Sequence, residues 1–227
     1  MEAKNQIQET LAQALILPSK AEPSLKPWPD VKQPTKTVRH PLKNAWQQKW
    51  VALDAVHPKL QELADAAEGF CSRWYNHSTN LSLLVIVGNY GSGKTHTAKA
   101  IFRYCLHAAM ASFEDQKWPG SAFPTCHFLR WPEVADEFGL RNYSSLTDSL
   151  ATELLVIDDI GAESDPWKVC ADKLCQILNR RERMFTVVTT NIQPTHWAER
   201  FDGRIADRLF RNSVIVDLSG VPSYSVK

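Results

Sequence analysis

The sequence has no apolar run near the roughly 18 residues that a bilayer-crossing helix needs. Its first seventeen residues carry Glu2, Glu9 and several glutamines, and the apolar stretch 15–17 is too short for the core of a secretory leader. The five cysteines (Cys71, Cys105, Cys126, Cys170, Cys175) form no Cys-x-x-Cys pair and have no histidine at zinc-ligand spacing. Internal repeats are missing too. These absences argue against a membrane protein, a zinc module and a repeat array. They predict a cytoplasmic protein with reduced, buried thiols and no membrane partner.

Strong net charge is also lacking: the formal value is +1. The balance is uneven, however. Residues 1–50 hold eight basic and four acidic side chains, a balance of +4, which leaves −3 for the rest. The N-terminal arm is therefore a candidate for touching nucleic acid or an acidic partner, with a merely solvated tail as the alternative.

What is present falls into two parts. Residues 1–17 place Ile7, Leu11, Ala14 and Leu15 on one face of a short helix, marginal by itself because nucleation is costly. Six prolines follow between Pro18 and Pro41, which predicts an extended tether over that stretch. The expected division is 1–41 as an arm and 42–227 as a folded domain. Within the domain the pattern alternates between helix and apolar strand. Helices are expected over 57–75, 94–111, 131–138 and 169–183, and over most of 194–210. Strands are expected over 81–87, 125–131, 154–157, 185–190 and 213–218. Continuous apolar strands between helices imply a parallel sheet covered on both faces, an α/β fold of three layers.

The run Gly88-Asn89-Tyr90-Gly91-Ser92-Gly93-Lys94-Thr95 fits G-x-x-x-x-G-K-[ST] at every fixed position. Glycines let the backbone turn so that successive N–H groups converge on phosphate oxygens, and the following helix aims its positive end at the same anion. Lys94, taken as an exposed loop lysine, should reach the β- and γ-phosphates of ATP. The Thr95 hydroxyl should ligate Mg²⁺. The strand 154–157 leads into Asp158 and Asp159. Asp158 is assigned to Mg²⁺, and Asp159 to activating the attacking water. Asn191 ends another strand, at the crevice where open α/β sheets bind ligands. It could hold that water, or it could cap the turn before Pro194.

Together these motifs resemble the AAA+ ATPases, and more narrowly the DnaC-like helicase loaders and their IstB-type relatives, over roughly residues 60–220. The resemblance rests on Gly93-Lys-Thr-His96, Leu155-Val-Ile-Asp-Asp159-Ile-Gly161, Thr189-Thr-Asn191 and Gly203-Arg-Ile-Ala-Asp-Arg208-Leu. It implies a P-loop NTPase fold of AAA+ type, with His96 continuing the phosphate loop and Asn191 as sensor 1. It also implies that Arg208 is an arginine finger reaching a neighbouring subunit's ATP, supported by Arg204 four residues earlier. A surface salt bridge is the other reading of either arginine. The sequence runs little beyond Leu218, so the helical lid common in AAA+ proteins is expected to be absent, as in DnaC-like loaders. Slow turnover by a single subunit follows from that.

The function implied is a replicative helicase loader that binds ATP and Mg²⁺. Such a protein assembles with single-stranded DNA, a replicative helicase and copies of itself, then hydrolyses ATP on release. A transposition helper that coats duplex DNA is the first alternative. A nucleotide-gated scaffold with negligible turnover is the second. Arg141 and Tyr143, in the stretch 138–145, are residue types suited to single-stranded DNA, although an ordinary surface loop is the preferred reading there. The stretch 179–183 reads as a solvated helix end.

Overall fold

The computed structural model describes residues 57–114, 125–139, 149–163 and 169–223. The arm, the tether, the boundary at 42 and the candidates Arg141 and Tyr143 lie outside the described residues. Five strands form one parallel sheet: β1 (Leu83–Val87), β2 (Cys126–Arg130), β3 (Leu154–Ile160), β4 (Phe185–Thr190) and β5 (Ser213–Asp217). Their spatial order is β2-β3-β4-β1-β5. Helix α1 (Pro58–Tyr75) precedes β1, and the crossovers carry α2 (Lys94–Glu114), α3 (Trp131–Gly139) and α4 (Val169–Arg180). After β4 come a 3₁₀ turn (Pro194–His196), α5 (Trp197–Arg200) and α6 (Gly203–Phe210).

Strand periodicity divides the core into two faces. In β1, Leu84 and Ile86 point to one side, where they pack with Phe70 of α1 and Ile101 of α2. Leu83, Val85 and Val87 point to the other, against Trp131, Leu174 and Ile205 of α3, α4 and α6. Every residue of β1 and β4 is buried, because both strands are interior and both faces are covered. The result is the three-layer α/β sandwich expected from the alternation. In α4 the apolar stripe Cys170, Leu174, Ile177 and Leu178 is buried, as its spacing requires. The described cysteines are free, and four of the five are buried.

Three local departures from the sequence reading have physical causes. Residues 194–210 break into three short pieces, because Asp202 stops the chain and caps α6, its carboxylate accepting from the N–H groups of Arg204 and Ile205. β3 does not end at 157 but runs to Ile160 through a register shift against β4, with Asp159 at a φ of 67°. Arg181, read as part of a solvated helix end, is buried instead. Its guanidinium donates to the carbonyls of Ser149, Leu150, Thr152 and Phe185 and to the Thr186 hydroxyl. These bonds pin the turn that enters β3 to the start of β4. Burial lowers the Arg181 pKa to about 10, so it remains charged at neutral pH. Among the described residues no helix is long and apolar enough to cross a membrane.

Candidate nucleotide and metal site

The strand order sets the site. β4 lies between β1 and β3, so the loop after β1 and the acids of β3 both face the end of β4. The loop 88–93 leaves β1 and opens α2. A methyl group added at Gly88 would sit 2.8 Å from both the Leu218 Cβ and the Ser92 Oγ, so a side chain is excluded there by close approach. Gly91 and Gly93 have φ values of 74° and 97°, which other residues adopt only with strain. Ser92 is fully buried, and its hydroxyl donates to the Asn89 carbonyl, closing the turn. Asn89 and Tyr90 are exposed at the outer edge, Tyr90 by 74%. His96 lies in the first turn of α2 and is partly buried.

Lys94 is not the exposed loop residue expected from its position. It is 7% exposed and is the first residue of α2. Its ammonium donates to the carbonyls of Gly88 and Asn89, both at 2.8 Å, and to Asn191 Oδ1 at 2.7 Å. Burial lowers its pKa, while Asp159 and then Asp158 oppose the shift. The ammonium's three donors are thus directed at oxygen acceptors in the mouth of the loop, where phosphate oxygens would be stronger partners.

The acids are held with similar economy. Thr95 Oγ1 donates to the Asp158 carboxylate, at 3.0 and 3.1 Å to its two oxygens. Thr189 Oγ1 donates to Asp158 Oδ1 at 2.7 Å. Asn191 Nδ2 donates to Asp159 Oδ1 at 3.0 Å, so one amide links Lys94 to Asp159. These contacts bring together Lys94, Thr95, Asp158, Asp159 and Asn191. A hydroxyl and a carboxylate already in contact are hard oxygen donors of the kind Mg²⁺ takes when it keeps most of its water shell. The residues present fit that ion. Thr189 stands within the motif 189–191, but no local signal marks a role for it, because its partners come from β3, about thirty residues away.

Arg204 and Arg208 belong to α6 and lie against α4. Arg204 pairs with Asp202 at 2.8 Å and Asp172 at 3.0 Å and is largely exposed. Arg208 donates to Asn179 Oδ1 and pairs with Asp207 at 2.7 Å. The bonds of these two arginines go to α4 and α6 and to the cap of α6, not to the cluster around Lys94.

Parallel strands, a glycine loop opening a helix, and a carboxylate on the second strand over from the loop strand define a P-loop NTPase fold. No family model matches the chain, and no curated protein does. Solved structures do. The crystal structure of the DnaC helicase loader matches with a TM-score of 0.57 at 17% identity, covering 77% of this chain and 98% of that one. DnaI matches with a TM-score of 0.54 at 22% identity, covering 70% and 83%. AMPPCP-bound DnaA from Aquifex aeolicus matches at 0.51 and 13% identity, covering 72% of this chain and 47% of that one. The chain has the α/β P-loop fold of the DnaC helicase loader, and the resemblance read from its motifs is met at the level of fold.

Proposed function

We propose that the chain is an ATP-dependent DNA replication protein of the DnaC-like helicase-loader type. The observation that carries this reading is the hydrogen-bonded cluster of Lys94, Thr95, Asp158, Asp159 and Asn191 at the ends of β1, β3 and β4. The similarity of fold to the solved chain of a helicase loader, 98% of which is covered, supports the narrower choice.

In this reading the backbone N–H groups of 88–93 and the N-terminus of α2 hold the phosphates. Lys94 exchanges loop carbonyls for β- and γ-phosphate oxygens, and Thr95 and Asp158 hold Mg²⁺. The ion supplies charge neutralisation on the phosphates. Asp159 accepts a proton from the attacking water, and Asn191 fixes that water while keeping Lys94 and Asp159 in register. Arg208 acts on the nucleotide of a neighbouring subunit, with Arg204 beside it, so that subunits assemble through ATP-bridged interfaces. Single-stranded DNA and a replicative helicase are the proposed partners, and residues 1–41 are the proposed contact with the helicase.

The test is ATP hydrolysis measured against protein concentration, with and without single-stranded DNA, together with capture of a purified replicative helicase. Turnover that rises with concentration and with DNA, and ATP-dependent helicase capture, are expected. Absence of both stimulation and capture would remove the loader assignment and leave a nucleotide-gated scaffold.

A further inference from the structure

β3 and β4 are parallel neighbours up to the pair Ile157 and Val188, after which the register shifts and the next pair is Ile160 with Thr190. The shift inserts extra chain at Asp158 and Asp159, and an insertion of this kind breaks the regular ladder of backbone hydrogen bonds. Buried backbone groups left without partners would be costly. Two consecutive threonines of β4 supply replacements. Thr190 Oγ1 donates to the Ile160 carbonyl at 2.8 Å, beyond the shift. Thr189 Oγ1 accepts the Asp159 N–H at 2.9 Å, within it. Both threonines are fully buried.

Thr189 does more than satisfy the backbone. A hydroxyl has one proton to give, and Thr189 gives it to Asp158 Oδ1 at 2.7 Å. One oxygen therefore fixes the carboxylate of Asp158 and the backbone of Asp159 together. Asp158 is 2% exposed, so water offers little substitute for that bond. Two residues further along, just past the end of β4, Asn191 holds the Asp159 carboxylate. The two neighbouring acids are thus held by different residues, Asp158 by Thr189 of β4 and the Asp159 side chain by Asn191 just beyond it, and at Asp159 both the backbone and the side chain are held.

We infer that Thr189 is a positioning residue for the magnesium carboxylate Asp158, setting how tightly the site takes Mg²⁺ while touching neither the ion nor the phosphates. The inference rests on the nucleotide reading above. Hydrogen bonds that orient a metal-binding group typically change metal affinity by about 10–100-fold when removed. Valine at position 189 keeps the shape and β-branching but loses the hydroxyl. Serine keeps the hydroxyl.

The experiment titrates Mg²⁺ into the purified protein with a fluorescent ATP analogue and reads the half-saturating Mg²⁺ concentration, with no turnover required. Thr189→Val should raise that concentration by about 10-fold or more, and Thr189→Ser should stay within about 3-fold of wild type. Analogue binding in excess EDTA should be the same for all three proteins. Should the valine variant fail to fold, Thr189→Ala compared with Thr189→Ser gives the same contrast. Wild-type Mg²⁺ dependence in the valine or alanine variant, or equal weakening in serine and alanine, would overturn the inference and leave the nucleotide reading standing. Absence of any Mg²⁺-dependent binding by wild type would overturn both.

Discussion

Asn191 accepts a hydrogen bond from the Lys94 ammonium at 2.7 Å, joining the end of β4 to the first residue of α2. These residues are 97 positions apart in the chain, and the sheet order alone brings them together. The amide's other end donates to Asp159. On the roles proposed for Lys94 and Asp159, a residue that holds both at once should affect turnover more than binding. Asn191→Ala is expected to slow hydrolysis by about 10²-fold or more, within the range for a positioned catalytic group. ATP affinity should change by less than about 5-fold, since Lys94 keeps its loop carbonyls. Single-turnover kinetics beside nucleotide titration separates the two.

Lys94→Ala should lose ATP affinity by at least about 10-fold, the value of one hydrogen bond to a charged group. The melting temperature should move by less than about 4 °C, because the lost bonds are offset by removal of a buried charge. The pH dependence has a defined sign. Burial lowers the Lys94 pKa in the folded protein below its ordinary 10.5. Between those two values the unfolded chain binds more protons, so the stability of wild type relative to Lys94→Ala should rise with pH across that window. Melting curves of both proteins at a series of alkaline pH values check this.

The two acids should separate by function. Asp159→Asn is expected to bind ATP with Mg²⁺ normally and to hydrolyse it about 10²–10⁴-fold more slowly, the span for loss of a general base. Equal loss of binding and turnover in that variant would mean that the roles of Asp158 and Asp159 are exchanged.

Arg208→Ala should bind ATP normally and hydrolyse it poorly. Mixing it with Lys94→Ala should restore activity, because an intact Arg208 then faces an intact Lys94 at mixed interfaces. Arginine fingers contribute about 10³–10⁵ in the best-studied GTPases. No rescue on mixing, and turnover per subunit independent of concentration, would leave Arg208 as the residue that bonds Asn179 and Asp207 and nothing more.

What the sequence made legible was whatever is written in consecutive residues. The phosphate loop, the acids after an apolar run and the polar end of β4 each announce themselves within eight positions. So does the stripe of α4. What escaped depends on strand order and burial. Thr189 gains its role from partners on β3, and a threonine within a strand reads as ordinary β propensity. Arg181 sits in a charged pentapeptide whose surface reading is sound for its neighbours, yet the chain turns there and aims that one guanidinium at five acceptors, four of them in buried bonds. The burial of Lys94 follows from the acids and Asn191 gathering over it, which no local pattern encodes.

Arg181 yields a stability prediction independent of nucleotide. Arg181→Met removes the donor from several buried carbonyls, at about 1–3 kcal/mol for each group left unpaired and dry. A loss of about 3 kcal/mol or more by urea denaturation is expected, corresponding to roughly 6–12 °C in melting temperature for a domain of this size. A change below about 0.5 kcal/mol would mean that water replaces the guanidinium.

The most direct test of the site is calorimetric titration of ATP into wild type and Asp158→Asn, each with Mg²⁺ and again in excess EDTA. For wild type, Mg²⁺ should tighten binding by at least about 10-fold, the lower end for a metal-orienting contact. In Asp158→Asn that gain should vanish, leaving its affinity near the wild-type value in EDTA. ATP binding of equal strength with and without Mg²⁺ in wild type, or a full magnesium gain in Asp158→Asn, would contradict the account.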